Sequence, residues 1–229
     1  MTSHTFAAGI LGLIVLGLMC IPAAAYSPNA TAFYTSGVSL TASGNFTEAL
    51  AAFKNAIDAD PSYFEAWDGM ADVLNREKHY PEALTASNQA LALNASDVKG
   101  WIIRGQILYN SGYVYEDTLH DTAKADVLYN EQLLAFDNAT RIDPNSTEAW
   151  FNKGFALAGL KRYDEAIAAF DRVAAIDPTY PKLAANRNIA VQLRDASTPN
   201  YGKYALPAGV IAVAIIGIGV LAYLNRKTE

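Results

Sequence analysis

The chain lacks most of the residues from which enzymes build reactive or metal-binding sites. It has one cysteine, Cys20, and three histidines, so no disulfide and no cysteine-rich metal site can form within one chain. Neither a serine–histidine–acid set nor a glycine-rich phosphate loop is present. These absences predict a protein with no enzymatic activity, no cofactor and no small-molecule substrate.

Basic residues are not in excess either. Lysine and arginine number 17 against 23 acidic residues, which gives a formal net charge of −6 and a pI of about 5.1. An acidic chain without a basic stripe argues against nucleic acid as a partner. Glu116 and His120 would share one face of a helix and could bind a metal, although a solvated acidic face explains the same spacing.

What the chain does have is a period of 34 residues. Aromatic residues at one phase of the period are Phe33, Trp67, Trp101 and, after an interval of 49, Trp150. The same intervals separate Pro61, Ala95, Pro144 and Pro178. A fixed period of this size indicates one supersecondary unit that is copied and stacked, and stacked units build surfaces for binding.

Small residues and aromatics also hold fixed places within each unit, with apolar spacings of three and four that predict two amphipathic helices. The first unit shows the pattern as Phe33, Gly37, Leu40, Phe46, Ala49, Phe53, Ala56 and Pro61. The second and fourth units follow it at most places, with Ser87, Ala95 and Val173 as departures. This pattern resembles the tetratricopeptide repeat. The resemblance implies an all-α superhelical array of about four helix-turn-helix repeats plus a capping helix.

The third unit is interrupted by 15 residues, numbered 112–126. Because the stretch from Thr118 to Phe136 keeps a helical pattern without a breaker, we expect the second helix of this unit to be extended at its N-terminal end. The alternative is a loop that projects from the array. This unit also has Gln132 where the others have a small alanine.

The periodicity divides the chain into segments. We expect a repeat domain over 26–195, with repeats at about 30–63, 64–97, 98–146 and 147–180 and a cap at 181–195. A polar linker follows at 196–204.

The two ends are apolar. Residues 6–21 precede small residues at Ala23 and Ala25, which predicts a signal peptide over 1–25; an uncleaved N-terminal anchor is the alternative. Residues 205–224 contain no charge and predict a transmembrane helix of about 30 Å. Arg226 and Lys227 follow, so residues 225–229 form a cytoplasmic tail by the positive-inside rule. We therefore expect a single-pass cell-membrane protein with its N-terminus and its repeats outside.

Five Asn-x-Ser/Thr motifs favour an exported glycoprotein, although asparagine is also common in turns that carry no glycan. The acceptor residues are Asn29, Asn45, Asn94, Asn138 and Asn145.

In tetratricopeptide repeats the first helices line a concave groove, and the resemblance implies that a partner peptide lies there. The residues expected to face that groove and bind a partner are Tyr34, Asp68, Asp72, Asn75, Ile102, Gln106, Tyr109, Phe151 and Phe155. The aromatics would be anchors and the aspartates would pair with basic residues, unless the aromatics pack against a neighbouring unit. We predict a membrane-anchored scaffold that binds a protein or peptide. The alternative is a structural or assembly factor of a cell-surface complex that self-associates as a homo-oligomer.

Overall fold

The computed structural model describes residues 26–197, which fold into nine α-helices and one π-helical turn without a β-strand. The all-α array predicted from the sequence is confirmed for this part of the chain. The helices are α1 (Pro28–Ala42), α2 (Phe46–Ala59), α3 (Phe64–Arg76), α4 (Tyr80–Leu93), α5 (Val98–Tyr113), α6 (Thr122–Ile142), α7 (Thr147–Gly159), α8 (Tyr163–Ile176) and α9 (Leu183–Ser197).

The helices pair as four hairpins in chain order, and α9 packs on α8. First helices of neighbouring hairpins also contact each other: α1 meets α3, α3 meets α5, and α5 meets α7. Within residues 26–197 the second helices make no such contact with one another. The array therefore curves with its first helices on the inner, concave side.

Glycine–phenylalanine pairs join the two helices of three hairpins. A Cβ atom placed on Gly105 would come within 2.5 Å of the Phe136 ring, and Gly37 and Gly154 stand in the same relation to Phe53 and Phe170. Each phenylalanine is at most 2 % exposed. The glycine thus leaves the space that the ring fills, which explains why the two residue types recur together in the period.

The second hairpin replaces this pair with Ala71 and Ser87, both fully buried. The phenylalanine lost at Ser87 is compensated from the next unit, where Ile103 and Ile107 pack with Ala71 in one buried cluster. Packing across the unit boundary therefore makes the Ser87 departure tolerable.

A left-handed residue turns the chain within each regular hairpin. Gly44 has φ 80°, Lys78 has φ 65° and Lys161 has φ 61°, and these residues share one phase of the period. The backbone of the turn is therefore repeated even though its side chain is not.

The 15-residue insertion lengthens both helices of the third hairpin. The second helix, α6, begins at Thr122, which is about two turns earlier in the period than the start of the second helix in the other hairpins. The extension at the N-terminal end agrees with the prediction from the sequence. The first helix, α5, runs on into the π-helical turn Val114–Thr118, which the sequence did not indicate. The chain reverses at His120, which has φ 55°, so the uninterrupted helix expected from Thr118 is wrong. Glycine and proline are not needed for this turn because a histidine occupies the left-handed region.

The hairpin formed by the insertion is fastened by one aromatic residue. The Tyr129 hydroxyl donates a hydrogen bond of 2.7 Å to Glu116 Oε2, and the Tyr129 ring lies over Gly112. Burial, followed by the hydrogen bond to Glu116, raises the pKa of Tyr129 above its ordinary range.

Helix α9 closes the array as a cap. Leu183 and Ala190 are buried against α8, and Arg187 Nε lies 2.6 Å from Asp171 Oδ1 on the exposed side. A terminal repeat needs one buried face toward the array and one solvated, polar face.

The signal peptide predicted over 1–25, the transmembrane helix predicted over 205–224 and the tail 225–229 lie outside the described residues, as does most of the linker 196–204. Within 26–197 the structure contains no helix with the length and apolar character that a bilayer crossing requires.

Candidate functional site on the concave face

The concave face carries two adjoining concavities, and eight of the nine residues predicted to face the groove line one or the other. An open groove of about 870 Å³ is lined by Tyr34, Asp68, Asp72, Ile102 and Gln106, among others. A smaller recess of about 220 Å³ is lined by Asn75, Gln106, Tyr109 and Phe155, together with residues that the sequence did not indicate. Gln106 belongs to both, so the recess opens beside the groove.

The larger groove has an apolar wall and a mixed-charge floor. Val38 is 45 % exposed there, and Tyr34 packs on Tyr63 with ring centroids 5.0 Å apart. Asp72 Oδ2 accepts a hydrogen bond of 2.9 Å from Arg76 Nε on the next turn of α3. Glu148 reaches the same groove from α7. An open surface of this kind suits an elongated chain better than a compact ligand.

Asp68 differs from the expectation of an exposed carboxylate. The Asp68 side chain belongs to a residue that is only 1 % exposed. Neither of its carboxyl oxygens accepts a hydrogen bond from a donor within the described residues. Its neighbour is Asp97, which caps α5 by accepting bonds from the amides of Lys99 and Gly100 at 3.2 and 2.7 Å. Both carboxyl groups lie against Gly100, where a Cβ would meet Asp97 Oδ2 at 2.7 Å and Asp68 Oδ1 at 3.1 Å.

This pairing changes the protonation of Asp68. Burial, followed by a hydrogen bond to Asp97 and by the charge of Asp97, raises the pKa of Asp68 to about 8. Asp97 accepts two backbone amide hydrogen bonds, whereas the oxygens of Asp68 have no donor in the described part of the chain, so burial penalises the charged form of Asp68. At neutral pH Asp68 is therefore mostly protonated, and it does not serve as an anionic anchor for basic residues. Ile102 and Asn75 are also nearly buried, at 5 % and 8 % exposure.

The recess lies between α3, α5, α6 and α7. Its aromatic wall is Tyr109 and Phe155, which meet edge to face with ring centroids 5.7 Å apart. Phe155 is 44 % exposed, so it remains open to a partner. The remaining lining is rich in side-chain amides, of which Asn110, Gln132 and Asn152 were not predicted to be functional. Only Gln132 gave a signal in the sequence, as the departure from a small alanine.

Phe151 is the predicted residue that lines neither concavity. Its ring packs on Phe170 and Tyr180, with centroids 5.7 and 5.0 Å away. The rings on which Phe151 packs therefore lie within its own unit and the turn that follows, and not in a neighbouring unit.

The other candidate positions lie away from the groove. In the described part of the chain no group of three or more histidine, cysteine or acidic residues could hold a metal, and His120 lies in the turn that breaks the helix needed to align it with Glu116. Three of the predicted glycan acceptors lie at helix ends or in the turns between helices: Asn45, Asn94 and Asn145. Asn29 and Asn138 lie inside helices, and Thr140 of the Asn138 motif is buried.

Comparison with known proteins gives a consistent picture. One tetratricopeptide repeat family model matches residues 34–98 and another matches residues 147–180. The interrupted third unit lies between these two stretches. No curated protein matches the chain.

Solved structures share the architecture. The chain is similar to TTC0263, a thermophilic TPR protein of Thermus thermophilus, with 20 % identity and a TM-score of 0.60 over 71 % of this chain and 81 % of that one. It is similar to the MamA protein with 18 % identity and a TM-score of 0.55 over 73 % and 85 %. At these identities the likeness shows a shared fold, that of an array of stacked helical hairpins. Residues 34–98 and 147–180 therefore match the tetratricopeptide repeat family, and the described array shares the fold of solved proteins of that kind.

Proposed function

We propose that this chain is a membrane-anchored, extracytoplasmic scaffold that binds a protein or peptide in its concave groove. The observation that carries the proposal is the open groove of about 870 Å³, which is built from side chains of several first helices. Groups from separate repeats, such as Tyr34, Asp72 and Glu148, lie along one surface, so an extended chain can contact all of them at once.

The groove favours a partner with apolar and basic residues. Val38 and Tyr34 offer apolar contact near its first repeat, while Asp72 and Glu148 place carboxylates along it. Arg76 already forms an ion pair with Asp72. A basic group of the partner must therefore either share the Asp72 carboxylate with Arg76 or displace Arg76 from it. Complementary charge of this kind sets orientation and association rate more than affinity.

Export and anchoring are supported by the sequence. The apolar segments 6–21 and 205–224 bracket the repeats, and the cationic residues Arg226 and Lys227 follow the second segment. Asn45 and Asn145 are not buried, so a glycan could be carried there without disturbing the packing. Protease added to intact cells should remove the repeats; repeats that survive until lysis would contradict this orientation.

Site-specific crosslinking in intact cells tests the groove. A photoreactive residue at Val38, in the groove, should capture a defined partner, whereas one at Gln89, exposed on α4, should not. Asp72→Ala should weaken that capture several-fold. Glu82→Ala removes one acidic charge from α4, outside the groove, and should leave capture unchanged. Equal capture from Val38 and Gln89, or equal effects of the two alanine variants, would refute groove binding.

Self-association is the second candidate, and the inserted hairpin favours it. Four large apolar side chains in α5, in α6 and in the segment between these helices are each more than half exposed: Tyr113, Leu119, Val127 and Leu134. Exposed apolar surface on one projecting element is typical of an interaction site. The mass of the detergent-solubilised chain separates the candidates, because a monomer at micromolar concentration counts against self-association. If the chain is oligomeric, Leu134→Gln should shift it toward monomer.

A further inference from the structure

The recess beside the groove is lined by carboxamide side chains from three repeats. Helix α3 contributes one, α5 contributes two, and α6 and α7 contribute one each: Asn75, Gln106, Asn110, Gln132 and Asn152. Gln132 occupies the place where the other three repeats have Ala49, Ala83 and Ala166. A longer, polar side chain has therefore replaced a methyl group at the one hairpin that also has the insertion.

Most of these amides lack partners. Asn110 Nδ2 donates a hydrogen bond of 3.0 Å to Asn75 Oδ1. The side chains of Gln106, Gln132 and Asn152 make no hydrogen bond within residues 26–197. Gln132 is 4 % exposed as a residue. None of the three amides belongs to the fully enclosed polar groups without a partner, so their donors and acceptors face the solvent of the recess. Their convergence on one recess leaves several unused donors and acceptors for a bound group.

The lining restricts what this group can be. No charged side chain lines the recess, so a charged ligand would lose its hydration without compensation. An amide presents both donors and an acceptor, and a matching ligand must present both as well. The volume of about 220 Å³ is below that of pockets for drug-sized molecules and fits a single side chain. Tyr109 and Phe155 provide an apolar wall for the methylene groups of that side chain.

We propose that the recess accepts a glutamine or asparagine side chain of the bound partner, with Gln132 as the specificity-determining residue. The inference rests on the proposed groove function, because Gln106 lines both concavities and a peptide in the groove passes the mouth of the recess. The ligand carboxamide accepts an N–H from one lining amide and donates an N–H to another. A glutamate, which has the same shape, cannot donate, and an apolar side chain can do neither.

Titration of the full-length chain with blocked single residues tests the recess. The probes are N-acetyl-glutamine N-methylamide and its glutamate and methionine counterparts, which share all main-chain amides. Binding is followed by the side-chain amide NMR signals of the protein. We expect the glutamine probe to bind at least five-fold more tightly than the other two and to shift the Gln132 signal. Three equal affinities, a preference for glutamate, or no saturable shift would overturn the proposal.

Two variants complete the test. Gln132→Ala restores the residue of the other repeats, so it should fold, and it should weaken the glutamine probe at least five-fold. Gln89→Ala removes an exposed amide from α4 and should change nothing. If the partner captured through Val38 binds Gln132→Ala as tightly as the parent chain, the recess inference fails while groove binding stands. If Val38 captures no partner but the glutamine probe still binds at Gln132, the groove function fails instead.

Discussion

The indole Nε1 of Trp101 donates a hydrogen bond of 2.9 Å to the backbone carbonyl oxygen of Ala95. Trp150 makes the same bond to Pro144 at 3.0 Å, and Trp67 reaches the carbonyl of Pro61 at 3.4 Å. The tryptophan position and the proline position of the period are thus in contact at three boundaries between units, with Ala95 in the proline position at one of them. The bond needs only a carbonyl group, which explains why alanine can replace proline at Ala95.

Trp101→Phe should reduce the free energy of unfolding by about 1 kcal/mol, because it removes this hydrogen bond and keeps most of the ring. Trp67→Phe is the matched control, since the same change removes a longer and weaker bond. Denaturant unfolding of both variants should show the larger loss for Trp101. Equal losses would mean that ring packing, and not the hydrogen bond, joins the units.

The period predicted the hairpins, their order and the cap because each depends on apolar spacing that is visible in the residues. It could not predict the burial of Asp68, which depends on the close approach of Asp97 and Gly100 from the next unit. Nor could it predict the path of the insertion, because the reversal at His120 depends on one backbone angle. Contacts across unit boundaries were therefore the main source of error, and the amide recess is assembled from such contacts.

Gly105→Ala should destabilise the chain by about 1–3 kcal/mol, because the new methyl group meets the Phe136 ring in a packed interior. Gly159→Ala makes the same change at the end of α7, where nothing lies within 4 Å of the new atom. It should be neutral or stabilise by up to about 1 kcal/mol through helix propensity. The melting temperature should therefore fall for Gly105→Ala and stay unchanged or rise for Gly159→Ala, and an equal fall in both variants would contradict the packing explanation.

Gly44→Ala should destabilise the chain by about 1–2 kcal/mol from backbone strain alone, because φ is 80° and no atom lies within 4 Å of the added methyl group. The reverse change, Lys161→Gly, places glycine where a lysine now has φ 61°. It should stabilise by up to about 1 kcal/mol, with the gain limited by the greater freedom of glycine in the unfolded chain. Denaturation midpoints would show this pair of effects. A loss of stability in both variants would mean that the turn depends on the lysine side chain.

The raised pKa of Asp68 predicts how stability depends on pH. In the unfolded chain this carboxyl loses its proton near pH 4, whereas in the folded chain it keeps the proton until about pH 8. Between these values the folded state binds more protons, so its contribution to stability falls as the pH rises. Asp68→Asn cannot ionise and should escape this fall.

The stability difference between Asp68→Asn and the parent chain should therefore increase from pH 4 to pH 8 and level off above it, in favour of the variant. If Asp68 keeps its proton until about pH 8, this difference is on the order of 5 kcal/mol above that pH, because each unit of pKa displacement corresponds to about 1.4 kcal/mol. Asp72→Asn is the control, because its half-exposed ion pair with Arg76 contributes at most about 1 kcal/mol. Urea unfolding at several pH values measures the difference. Parallel curves for Asp68→Asn and the parent chain would show that Asp68 is already ionised in the folded protein, and the floor of the groove would then carry the negative charge expected from the sequence.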